Sequence, residues 1–172
     1  MTETVLETLL AEFSDVSDPA QLTRIVVRLV LAAVLGGALG YERERSGKAA
    51  GLRTHMLVAV GAALVMLVPQ QGGMAVGDLS RVIQGIVTGV GFLGAGAIIK
   101  HRSEHSVQGL TTAAGVWMTA AIGIACGLGR DATAVISTVL ALIVLSVVPH
   151  LVGKVEAGGE LDRPDASSDR NS

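Results

Sequence analysis

Five stretches of eighteen or more residues, nearly free of charge, leave this chain few ways to fold: Leu22–Gly40, Leu52–Pro69, Val82–Ile99, Leu110–Leu128 and Ala132–Val152. A helix crossing about 30 Å of hydrocarbon needs roughly 17–25 mostly apolar residues, and each stretch qualifies. Charges inside them keep to the ends: Arg24 and Arg28 in the first and Arg53 at the start of the second. Side chains that long reach the interface from such positions. A soluble bundle is excluded because no stretch shows a polar face at 3.6-residue spacing. Five all-round apolar helices cannot all be interior in 172 residues. Composition agrees: 16% of residues are charged, 2% are aromatic and 22 are glycine. Soluble cores bury aromatic rings, whereas helices in lipid pack through small residues. The expected fold is an all-α membrane protein of five transmembrane helices in contact with the lipid bilayer.

Basic residues orient it. Arg43, Arg45, Lys48 and Arg53 follow the first span, Lys100 and Arg102 follow the third, and Lys154, Arg163 and Arg170 follow the fifth. The other side has Arg81 and Arg130, with Arg24 and Arg28 at a helix start. By the positive-inside rule the N-terminus lies outside and the C-terminus in the cytoplasm. Residues 1–20 read as an acidic amphipathic segment, with Val5, Leu6, Leu9, Leu10 and Phe13 at helical spacing and Ser17 or Asp18 before Pro19 opening a new helix. They lack the basic n-region of a signal peptide. Residues 21–153 form the membrane domain, and 154–172 a polar, disordered tail. The net charge of −2 gives no basis for a nucleic-acid partner, and the single Cys126 reads as a small packed thiol.

Gly51-Leu52-Arg53-Thr54 opens the second span and Gly109-Leu110-Thr111-Thr112 the fourth, an offset of 58 that also carries Gly36 onto Gly94. A tandem two-helix repeat followed by a fifth helix would explain this. Both pairs enter from one side, so the repeat would be parallel. The string Gly89-x-Gly91-x-x-Gly94 matches the dinucleotide fingerprint but lies inside an apolar span, with no strand before it and no acid about 20 residues on. The glycines fit helix packing instead. Gly36 and Gly40, Gly85 and Gly89, and Gly123 and Gly127 are small-xxx-small pairs, and Gly91, Gly94 and Gly96 add to the third span.

The polar residues at the span ends are the candidate functional cluster: Glu42, Arg43, Arg53, Thr54, His55, Asp78, Arg81, Gln84, Thr111, Thr112 and Trp117. Asp78 or Ser80 capping the third span and an ion-pair cluster of Glu42, Arg43 and Arg53 are the structural readings. An anion site formed by Arg53 and the start of the fourth span is the functional one. No carboxylate lies mid-membrane, where a cation-coupled transporter keeps one. No nucleophile constellation or metalloprotease pattern occurs, so no enzyme and no cofactor are expected. Asp78 is the one candidate metal ligand. Two functions remain: a regulatory protein that binds other membrane proteins, and self-associates, through glycine-rich helix faces, or a transporter or channel for a small ion such as Mg²⁺.

The chain is similar to the MgtC/SapB family of bacterial inner-membrane proteins. The matching segments are Gly40-Tyr41-Glu42-Arg43, Ala50-Gly51-Leu52-Arg53-Thr54-His55, Asp78-Leu79-Ser80-Arg81, Gly91-Phe92-Leu93-Gly94-Ala95-Gly96, and Val107 to Ala114 with Trp117. The resemblance implies a multi-pass inner-membrane domain tied to magnesium limitation, and in its better-studied branch the regulation of other membrane proteins, ATP synthase among them. Longer members carry a soluble domain after the last span. Here 20 residues follow Val152, as in the short, SapB-like type.

Overall fold

The computed structural model describes residues 2–12, 18–99 and 109–160, and these form six helices. They are α1 (Thr2–Glu12), α2 (Pro19–Arg45), α3 (Leu52–Gln71), α4 (Val76–Ile99), α5 (Leu110–Gly127) and α6 (Asp131–Glu160). Helices α2 to α6 are each long and apolar enough to cross a membrane. Phe13, Ser17, the loop residues Lys100, His101, Arg102 and His105, and the tail beyond Glu160 lie outside the described residues.

Two helices start where apolarity alone puts them, at Leu52 and Leu110. The others run past their apolar windows. Helix α2 begins at Pro19, with Asp18 as N-cap accepting a hydrogen bond from the Ala20 amide, and continues through Glu42–Arg45. Helix α4 starts six residues ahead of its window because Gly77, Asp78, Ser80 and Arg81 occupy polar first turns. Helix α6 carries on to Glu160, eight residues past Val152.

The centre is a three-helix stack of α2, α3 and α5. The buried face of α2 runs Ala32, Leu35, Gly36, Leu39, Gly40, Arg43, a three–four spacing. It meets His55, Ala59 and Leu52 of the antiparallel α3. A methyl carbon placed on Gly36 would lie 2.7 Å from Ala59 Cβ, and one on Gly40 would lie 2.7 Å from Leu52 Cα. On the other side of α3 runs α5, parallel to it. A methyl carbon on Gly123 would collide with the Ala59 carbonyl, and one on Gly127 would lie 2.6 Å from the Ala63 carbonyl oxygen. Helices α4 and α6 pack outside this stack. The apolar window of α4 is 11% buried, against 56% for that of α5.

The 58-residue offset reappears in the contacts. Gly36 faces His55, and Gly94 faces Ala113; Gly40 faces Gly51, and Ile98 faces Gly109. The α2–α3 and α4–α5 pairs are therefore built alike. Gly109 caps α5 at φ +96°, a left-handed conformation, with Ala97 O 2.8 Å from where a side chain would begin. Only glycine fits there without strain.

Alanine at Gly36 or Gly123 is expected to destabilise the bundle by about 1–3 kcal/mol, because backbone rather than a side-chain tip must move. Alanine at Gly85 or Gly89, where a methyl group meets nothing within 4 Å, should be neutral or slightly stabilising. Thermal unfolding of the four purified variants in one detergent checks this; equal melting temperatures across the set would contradict it.

Candidate functional site

The described cluster residues fall at two ends of the bundle, separated by the length of α3, about 30 Å for its 20 residues. At one end α2 finishes while α3 and α5 begin, which gathers Glu42, Arg43, Arg53, Thr54, His55, Thr111 and Thr112. At the other, α4 begins with Asp78, Arg81 and Gln84. Trp117 stands between, half-exposed, against Ile83 and Val87 of α4.

At the first end Arg43 lies on the buried face of α2, 3% exposed. Its guanidinium pairs with the neighbouring Glu42 carboxylate and donates to the Leu145 carbonyl of α6 at 3.4 Å. Glu42 also accepts from Ser46 Oγ at 2.9 Å. His55, fully buried, holds Nδ1 3.0 Å from the Gly51 carbonyl oxygen, so that nitrogen carries the proton. Its Nε2 has no hydrogen-bond partner. Gly115 of α5 leaves room for the ring: a methyl carbon there would lie 3.5 Å from Nε2. Thr112 is buried, while Thr111, Arg53 and Thr54 are exposed. Glu42–Arg43 is the only ion pair among the described residues, so Arg53 does not join it.

Two hollows open beside these groups. One, of about 710 Å³, is walled by Glu42, Arg43, Arg45, Lys48 and the α6 segment around Leu145. The other, of about 520 Å³, runs between α5 and α6 past His55, Gly115, Met118 and Ala141. Thr111, Val144 and Leu145 line both.

At the opposite end Asp78 is exposed in the first turn of α4, where a carboxylate suits the helix dipole. Ser80 Oγ donates back to the Gly77 carbonyl instead of capping an amide. Among the described residues no three His, Cys, Asp or Glu side chains stand close enough to hold a metal ion.

Three working residues escape a reading of the sequence alone. Glu44 caps α3, accepting from the Leu52 amide at 2.8 Å across eight residues, where the N-cap Gly51 has no side chain to do so. Arg28 and Gln70 both donate to the Gly127 carbonyl at 3.0 Å, closing the C-terminus of α5. Arg28 thus turns inward to a negative helix end. A charge inside an apolar span was the available signal, because such residues face the bundle.

Of the glycines, Gly36, Gly40, Gly123 and Gly127 sit in the helix crossings above. Gly94 makes ordinary contact with Ala113, 3.5 Å away by the same measure. Gly85, Gly89, Gly91 and Gly96 face open space.

An all-helical chain with five apolar spans, polar groups collected at their ends and glycine at their crossings is a multi-pass membrane protein. The MgtC family model matches residues 29–154, and the chain belongs to that family. It is 44% identical over 133 residues to YhiD of Escherichia coli K12, provisionally named a magnesium transporter; the match covers 73% of this chain and 61% of YhiD. It is 44% identical over 130 residues to SrpB of Synechococcus elongatus, covering 69% of this chain and 71% of SrpB. It is 43% identical over 127 residues to MgtC of Brucella abortus, covering 73% and 51%. The chain thus spans about three fifths of YhiD and half of the Brucella protein. No solved structure matches it.

Replacing Glu44 with alanine should cost about 1 kcal/mol, the usual cost of losing a helix cap. Arg53→Ala should stay within about 0.5 kcal/mol, as for exposed sites without partners. Denaturant titration of both variants in mixed micelles measures the difference, and a larger loss for Arg53 would refute the assignment of the cap.

Proposed function

We propose that this protein is a bacterial inner-membrane protein of magnesium homeostasis that works by binding and modulating other membrane proteins. The link to magnesium rests on the family and on the name of YhiD. The binding mechanism rests on one observation, the unoccupied glycine face of α4. Gly85, Gly89, Phe92 and Gly96 recur at four- and three-residue steps along one side of the helix. The glycines meet nothing within 4 Å and Phe92 is 80% exposed. Beside them a groove of about 340 Å³ runs between α3 and α4, with Gly61 and Gly89 in its walls. Glycine in lipid is useful where another backbone comes close, and the face of α4 has no such neighbour among the described residues. A helix of another membrane protein fits it.

Transport of a small ion is the second reading, favoured by YhiD's name. Against it, the charged groups stand at opposite ends with an apolar interior between them. The buried hydroxyls of Thr119 and Thr138 each donate to a carbonyl of their own helix, Gly115 and Ala134, and so line no polar path.

A strain lacking the gene is expected to grow poorly only at low Mg²⁺. Wild type should rescue it, and Gly89→Leu, made at normal levels, should not. Growth equal to wild type at every Mg²⁺ concentration would overturn the magnesium role. Mg²⁺ uptake by liposomes holding the purified protein, abolished by Asp78→Asn, would replace modulation with transport.

The reading also sets the orientation, with the Arg43–Lys48 end in the cytoplasm. A reporter active only in the cytoplasm should be active when fused after Val152 and silent when fused within residues 70–77. The reverse pattern would invert the topology.

A further inference from the structure

We propose that the paired hollows at the Arg43 end form a binding site for one anionic phospholipid, its phosphate against Arg45 and Lys48 and its acyl chain in the recess between α5 and α6. The two hollows share Thr111, Val144 and Leu145 in their walls and differ sharply in chemistry.

The upper hollow is cationic in effect. Of its four charged wall residues, Glu42 and Arg43 already neutralise each other. Arg45 and Lys48 remain, both exposed. The nearest further carboxylate in sequence, Glu44, is committed to the Leu52 amide. Glu44 keeps its charge there, so these five residues sum to +1, which complements one phosphodiester.

The lower hollow is apolar, and it opens sideways. Leu110, Leu140 and Val144 on its rim are each more than half exposed, on helix surfaces that face hydrocarbon. Ala114, Gly115 and Ala141 keep its floor low. A soluble anion has no use for such a recess, whereas a lipid enters it from the bilayer without leaving the membrane.

His55 supplies the third observation. It is fully buried at the head of the recess, and its Nε2 lacks a partner. With Nδ1 protonated towards Gly51, Nε2 is an acceptor. Burying an acceptor unpaired costs free energy. The glycerol ester region of a phospholipid has only acceptor oxygens, but it brings interfacial water to the level between phosphate and chain, and such a water donates to Nε2. The site stands independently of the role of α4.

The test is lipid retention by native mass spectrometry, titrating purified protein in detergent with phosphatidylglycerol or phosphatidylcholine. Wild type should retain one phosphatidylglycerol in preference to phosphatidylcholine. Arg45→Ala with Lys48→Ala, both at exposed positions, should weaken apparent affinity about 30-fold, from the usual contribution of two basic groups at an anionic surface. Ala114→Phe, which fills the recess, should abolish retention; if it fails to fold, Ala141→Leu serves instead. Equal retention of both lipids, an unaffected double variant, or thermal stabilisation by inorganic phosphate alone as large as that by phosphatidylglycerol would overturn the proposal.

Discussion

Everything in this bundle depends on how closely backbones approach at Ala59. Within a bilayer, helices gain no hydrophobic energy by meeting each other, because lipid tails are as apolar as side chains. What remains is dispersion, which needs contact at van der Waals distance along the whole crossing. Ala59 meets Gly36 of α2 on one side and Gly123 of α5 on the other. Small side chains on all three helices set that spacing. Leu35, Leu39, Met66 and Ile122 then fill the layers above and below.

Such a tight apolar stack has little tolerance for stray polar groups, and its inward-turned cations, Arg43 buried and Arg28 part-buried, show how they are absorbed. Arg43 and Arg28 lie on the same helix, at opposite ends of the stack. Arg43 takes a carboxylate from its own chain neighbour and a carbonyl from α6. Arg28 takes the last carbonyl of α5, which Gln70 shares. Arg43 thereby ties the outer α6 to the stack and Arg28 ties α2 to α5 within it, each by a charge-assisted hydrogen bond, stronger than a neutral one. His55 Nε2 is the buried polar atom in this region that finds no partner among the described residues.

The number of spans, their class and the starts of α3 and α5 were legible in the sequence, because hydropathy is local and its length scale is fixed by the bilayer. The ends of α2, α4 and α6 were not. Once a helix is nucleated, polar turns such as Glu42–Arg45 extend it without an apolar signal. Pairing was less legible still. Gly85-x-x-x-Gly89 and Gly123-x-x-x-Gly127 are the same motif in one dimension. Only the stacking of α5 on α3 makes the second an internal contact and leaves the first open. The sequence suggested an ion-pair cluster of Glu42, Arg43 and Arg53, yet Glu42 is held by the adjacent Arg43 and Arg53 stands exposed outside it. Glu44 acts across eight residues, a reach that no helical periodicity encodes.

The 58-residue correspondence breaks down at the candidate site, which sits at one position and not at two. At the 58-residue offset, Gly115, Gly123 and Gly127 of α5 correspond to Leu57, Val65 and Pro69 of α3, and His55 corresponds to Ala113. The two central helices therefore have complementary shapes. One carries the glycine floor, and the other carries the imidazole that needs the space above it. Had both kept the same residues, α3 and α5 would either clash along Ala59–Ala63 or leave the layer beside Gly115 empty. The same difference frees α4. Its counterpart α2 is pinned through Gly36 and Gly40, while α4 touches α5 through Gly94 and leaves Gly85, Gly89 and Gly96 to the membrane. Asymmetry between two like hairpins thus produces both a closed core and an open helix face.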